Sequence, residues 1–165
     1  ANDCRTEYKT RYGTEPPIDI WAIDAYPIDW TTLPTTNSTI AIDQLKAMRE
    51  YLNGIPEYKD TPIWITEFSL HWGWDAWELV QECATPKPSG SYRTQEVIQY
   101  LEEVYDWLEE NSNAMMIERW FTFITYSDLN ICHGDAYAGL SLFEKLTIGS
   151  DLTPVGRYFQ GRSAN

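Results

Sequence analysis

Three apolar runs of strand length alternate with helical stretches along this chain, and that order restricts its fold more than any other feature. The first run is Ile18-Asp-Ile-Trp-Ala-Ile-Asp-Ala-Tyr26, closed by Pro27. The second is Pro62-Ile-Trp-Ile-Thr-Glu-Phe68, and the third is Ala114 to Tyr126, long and almost free of charge. Such lengths and punctuation suit buried strands. Between them, Ile40 to Asn53 places Ile42, Leu45, Met48, Tyr51 and Leu52 at helical spacing, and Gly54 ends it. The stretch from Ser91 or Tyr92 to Asn111 is the longest expected helix, with a stripe of Val97, Leu101, Val104, Tyr105 and Leu108. A short polar helix, Asp3 to Tyr12, precedes the first strand and stops at Gly13 and Pro16-Pro17. Thr153-Pro154 opens a last helix, with Pro in its first turn. Leu140 to Phe143 reads as a short extra strand.

Strands alternating with helices require crossover connections and a parallel sheet, so the fold class is α/β. An open doubly wound sheet and a closed barrel both satisfy the pattern. No Gly-rich phosphate loop follows any strand, which removes the main nucleotide-binding reading. A complete barrel needs eight strands and about 250 residues. The chain has 165 residues and three clear strands, so it is either a small open sheet or part of something larger.

The formal net charge is −13, with Lys and Arg few and scattered. No basic stripe exists to release counterions from phosphates, which argues against nucleic acid. No stretch is apolar enough to span a membrane. No signal peptide is visible, an absence without weight where the N-terminus is missing. Two His residues, His71 and His133, leave little material for a His-based metal site or a Ser-His-Asp triad, and neither metal nor cofactor is expected. Of the three cysteines, Cys83 and Cys132 either bridge two loops, leaving Cys4 over, or remain buried thiols. Aromatic residues make up 15% of the chain, including 8 Trp and 11 Tyr. Large rings fill cores, and flat rings also stack on the apolar faces of sugars. Trp72, Trp74 and Trp77 lie in the loop after the second run, where the latter use gains weight.

Glu67 is the residue with the most to explain. It sits near the C-terminal end of an apolar strand, where a carboxylate is costly unless paired. In parallel α/β folds that end is where chemistry is done. A lone Glu there reads equally as a solvated or helix-capping side chain, and its neighbours decide. Strict strand alternation puts Ile20, Ala22, Asp24 and Tyr26 on one face of the first strand. It groups Ile63, Ile65 and Glu67 in the second, and Met116, Glu118, Trp120 and Thr122 in the third. If these faces point inward, Asp24, Tyr26, Glu67, Glu118 and Trp120 converge at one end of the sheet. Read alone, Asp24 and Glu118 are structural or substrate-contact residues rather than catalytic ones.

Trp64-Ile-Thr-Glu-Phe68 resembles the seventh-strand motif of clan A glycoside hydrolases, whose nucleophile is the Glu. The chain resembles more closely the glycosyl hydrolase catalytic-core group that includes glycoside hydrolase family 128, with β-1,3-glucanases among its members. Ile18 to Tyr26 is similar to that group's sixth strand, with Asp24 where the group usually carries His. The helix Tyr92 to Asn111 followed by Ile117-Glu-Arg-Trp-Phe121 resembles the run into the eighth strand, and Leu152-Thr-Pro-Val-Gly-Arg-Tyr158 the closing helix.

The resemblance implies a (β/α)8 TIM barrel of which residues 1–165 form the C-terminal half, covering roughly strands six to eight with their helices. It implies a retaining glycosidase acting on a poly- or oligosaccharide, a β-1,3-glucan among the candidates. Glu67 is then the nucleophile, and the acid/base stands about 5 Å away. In the clan that acid follows Asn at the end of the fourth strand. No Asn-Glu pair occurs here, so the acid is expected on a missing N-terminal half, which is also the expected partner. The chain alone is then expected to be inactive. Tyr26 is placed to hydrogen-bond Glu67 and keep it ionised. Trp120 forms a sugar platform, Trp72 and Trp74, with Trp77, line outer subsites, and Asp24 and Glu118 contact substrate. The setting is expected to be extracellular or cell-surface. Two alternatives stand beside this reading: a catalytically inactive carbohydrate-binding barrel fragment, and a small open-sheet protein-interaction module. An acid at the fourth strand separates the first from the hydrolase, and an unpaired apolar strand edge marks a half barrel.

Overall fold

A computed structural model describes residues 2–28, 36–70, 94–123, 125–126 and 140–163. The elements alternate as expected: α1 (Asn2–Tyr12), β1 (Trp21–Ala25), α2 (Ser38–Asn53), β2 (Ile63–Phe68), α3 (Thr94–Met115), β3 (Ile117–Thr122) and α4 (Pro154–Ser163). The strands form one parallel sheet in the order β1-β2-β3, so β1 and β3 lie at its edges.

Helices α2 and α3 cover one face of this sheet. Ala41, Leu45 and Leu52 of α2 meet Val97, Leu101, Val104 and Leu108 of α3 over Ile63, Ile65, Phe68 and Ile117. The apolar stripe expected on α3 is this contact. On α2, Met48 and Tyr51 stay at the margin of the core, and Arg49 is buried instead. Its guanidinium donates to the carbonyls of Thr61, Tyr58 and Lys59, and to Asn53 Oδ1. These bonds tie the turn after α2 back onto the helix. They satisfy backbone groups that burial would otherwise leave costly. Burial lowers the pKa of Arg49.

Local chemistry explains several element ends. Asn37 caps α2, its Oδ1 accepting from the Thr39 N–H at 3.1 Å. Gly54 closes α2 as expected, but at φ −73°, without the left-handed turn glycine often supplies there. Thr153 caps α4, with Oγ1 accepting from the Gly156 N–H at 3.1 Å and donating to the Ser141 carbonyl. Gly156 lies so close to the Leu142 carbonyl that a Cβ would meet it at 2.0 Å. Helix α1 is held through Glu15, whose carboxylate pairs with Arg5 and Lys9, each at 2.7 Å. Those two cations hold the Glu15 carboxyl down at about 2. Arg162 of α4 spans to Asp106 and Glu109 of α3, with its guanidinium over the Tyr105 ring. Burial pushes the Tyr105 phenol up.

Two expected strands change. The third starts at Ile117, not Ala114, because Ala114 and Met115 complete α3. Ala and Met are strong helix formers, and the apolar run gave no sign of the switch. Met116 alone makes the turn, at φ 53°, and its carbonyl accepts from the Ile63 N–H at 2.8 Å. Leu140 to Phe143 form no strand; Phe143 makes a single antiparallel bridge to Leu152.

Candidate active site

The face of the sheet away from α2 and α3 carries the polar residues. Its contents follow from two bulges, one on β2 and one on β3, that shift the strand register. Between β1 and β2, Ile23 pairs with Ile65 and Asp24 with Glu67, so Thr66 is an extra residue. Between β2 and β3, Ile63 pairs with Ile117 but Trp64 with Arg119, so Glu118 is extra on β3. Partners in a parallel ladder point to the same side, and one inserted residue reverses every side chain beyond it. Strict alternation therefore fails in both strands. Ile63 and Ile65 enter the helix-covered core, whereas Glu67, past the Thr66 bulge, joins Asp24 on the open face.

Tyr26 follows Asp24 on that face and is 9% exposed. Its hydroxyl donates to Glu67 Oε2 at 2.7 Å. The ring packs edge-on to Phe123 at 6.1 Å between centroids, and the Tyr26 carbonyl accepts from Gln44 Nε2 of α2 at 2.8 Å. The Tyr26 ring and backbone are thus each held, and the phenol in turn bonds the carboxylate. Asp24 accepts from Thr66 Oγ1 at 2.7 Å. Asp24, Tyr26 and Glu67 meet at the C-terminal end of the parallel strands, the end at which α/β enzymes place their chemistry.

The other expected site residues lie elsewhere. Glu118 accepts from Trp64 Nε1 at 3.2 Å, about 10 Å back along the sheet from Glu67 at the usual rise per residue. Arg119 stacks on the same indole, 5.3 Å from its centroid. Trp120 pairs with Ile65 and packs against the core, because the Glu118 bulge shifts it off the open face. The five-residue convergence expected from alternation is therefore corrected to three. Trp72, Trp74, Trp77, His71, His133, Cys83 and Cys132 lie outside the described residues. Cys4 is an exposed free thiol on α1. A groove of about 390 Å³, lined by residues including Tyr126, Phe143, Leu146 and Ile148, lies beyond β3 and contains none of the three site residues. Among the described residues no cluster of His, Cys, Asp or Glu could hold a metal ion, and no helix is long and apolar enough to cross a membrane.

A carboxylate held by a phenol at the ends of parallel strands is an arrangement suited to nucleophilic attack on a sugar carbon. Among known families, the model of the glycosyl hydrolase catalytic core matches residues 15–159. The chain belongs to the glycosyl hydrolase catalytic core family. The match runs from just before β1 into α4 and takes in Asp24, Tyr26 and Glu67. No curated protein and no solved structure was found to match the chain. Membership supports glycosidase activity in general. Three residues of this glycosyl hydrolase core escaped the sequence reading: Thr66, Gln44 and Phe123. Thr66 had a signal, since it directly precedes Glu67. Gln44 and Phe123 act through contacts that no local pattern encodes.

Proposed function

We propose that Glu67 is the nucleophile of a retaining glycoside hydrolase, and that residues 1–165 are the C-terminal half of a (β/α)8 barrel, with β1 to β3 as strands six to eight. The observation that carries this reading is the 2.7 Å hydrogen bond from the Tyr26 hydroxyl to Glu67 Oε2, at the C-terminal end of a parallel strand. The second support is that, among the described residues, helices cover one face of the sheet. Parallel sheets are normally covered on both faces, yet here Ala22, Asp24, Thr66, Glu118 and Arg119 are exposed opposite the helices. Closing a barrel would turn that face inward.

In the reaction, Tyr26 holds one Glu67 oxygen and leaves Oε1 to attack the anomeric carbon. The bond from that carbon to the leaving oxygen breaks as a second carboxylic acid, about 5 Å away, protonates it. Water activated by the same group then hydrolyses the glycosyl-enzyme ester and frees Glu67. We assign the acid to a strand preceding residue 1. Within the chain, Asp24 is the carboxylate beside Glu67, and it is engaged with Thr66. The substrate is a poly- or oligosaccharide met outside the cell or at its surface, with a β-1,3-glucan the first to try.

The test is Glu67→Gln in the complete protein, assayed on laminarin. Hydrolysis should fall by about three orders of magnitude or more. Near-normal turnover would overturn the assignment. The chain by itself should leave laminarin intact; cleavage would place the acid in this chain, with Asp24 the first suspect.

A further inference from the structure

Glu67 reaches Tyr26 only because the strand gains a residue at Thr66. Without that bulge, alternation from Ile63 and Ile65 would turn Glu67 into the helix-covered core and Phe68 out of it. Something must hold the extra residue, since a bulge leaves its own residue outside the ladder. Thr66 has two oxygens within reach across the strand: Asp24 Oδ1 at 2.7 Å and the Ile23 carbonyl at 3.3 Å. Its hydroxyl has one proton, and the shorter, charge-assisted contact takes it. Ile23 and Asp24 are the pair between which the β1–β2 register shifts, so the contact spans the irregularity itself.

We propose that Asp24 is a positioning residue: through the Thr66 hydroxyl it pins the β2 bulge that turns Glu67 onto the open face against Tyr26. This rests on the nucleophile role of Glu67 but gives Asp24 a task distinct from contacting sugar. Thr66 is its intermediary, and Glu67 the group that gains. What the position needs is an acceptor oxygen facing the Thr66 hydroxyl, which Asp24 Oδ1 supplies.

The experiment compares Thr66→Val, Thr66→Ser, Asp24→Ala and Asp24→Asn in the complete protein on laminarin. Thr66→Val and Asp24→Ala should each lower kcat by about 10- to 100-fold, as expected when a reacting group is misplaced by an ångström or less, with KM within about twofold. Thr66→Ser, which restores the hydroxyl, and Asp24→Asn, which keeps an acceptor oxygen, should recover most of the loss. The double variant should be no slower than either single one, because both remove the same contact. A raised KM in Asp24→Ala beside unchanged kinetics in Thr66→Val would show Asp24 touching sugar instead, and would overturn the proposal. The same variants in the 165-residue chain separate this claim from the functional reading. There the nuclear Overhauser contact between the Tyr26 ring and the Glu67 methylenes should vanish in Thr66→Val and return in Thr66→Ser. Its persistence in Thr66→Val and Asp24→Ala sinks the positioning role even if laminarin is cleaved, and its loss supports that role even if laminarin is not.

Discussion

The two faces of the three-stranded sheet follow different rules. On the covered face, Ile63, Ile65 and Phe68 fill the space beneath α2 and α3 with apolar volume. On the open face, Asp24, Thr66, Glu67, Glu118 and Arg119 are arranged by specific hydrogen bonds and a stacked indole. The bulges at Thr66 and Glu118 deliver polar residues to the open face and leave the buried side continuous. Apolar packing is thus concentrated on one side and polar contacts on the other, and a defect in the ladder serves the second without damaging the first.

Substitutions can break this contrast. The largest effect should come from Phe68→Ala in the isolated chain. Phe68 is fully buried against Tyr105, and its loss should cost about 4 kcal/mol in denaturant unfolding. Next is Arg49→Met, which fills similar volume but strips three backbone carbonyls of a charged donor, for about 3 kcal/mol. A loss as small as that of a surface mutant would mean that water replaces the guanidinium. The smallest effect belongs to the open face. Phe121 is 49% exposed, and Phe121→Ala should change stability by less than about 0.5 kcal/mol in this chain. A cost near that of Phe68→Ala would show that the open face is already covered, and would remove one support for the half barrel.

Much of the covered side was legible in the sequence. The spacing of Val97, Leu101, Val104 and Leu108 is the stripe that α3 buries, and Thr153-Pro154 does open α4. Such features depend on residues a few positions apart. The open side was only partly legible. Tyr26 and Glu67 were brought together by their places at strand ends, and they do meet. Their meeting depends on a bulge that period-two reasoning omits, so the face given to Ile65 and Glu67 was right for each residue's neighbours and wrong for the pair. The same omission sent Trp120 to the site instead of to its partner Ile65. A bulge is fixed by what bonds across it, here Asp24 and Thr66, which stand 42 residues apart.

Met116 carries a consequence for how such a sequence can lengthen over time. It is the whole connection between α3 and β3, and it also receives the first ladder bond of β2. There is no slack at that joint. One added residue would slide β3 along its neighbour and exchange the sides of Ile117 and Arg119, exposing a core residue and burying a cation. Insertions are therefore tolerable at the opposite rim, after Ala25, Phe68 and Thr122, where the connections are long. Drift in chain length is steered toward the mouth beside Glu67, leaving the floor of the sheet unchanged while the surroundings of the carboxylate vary.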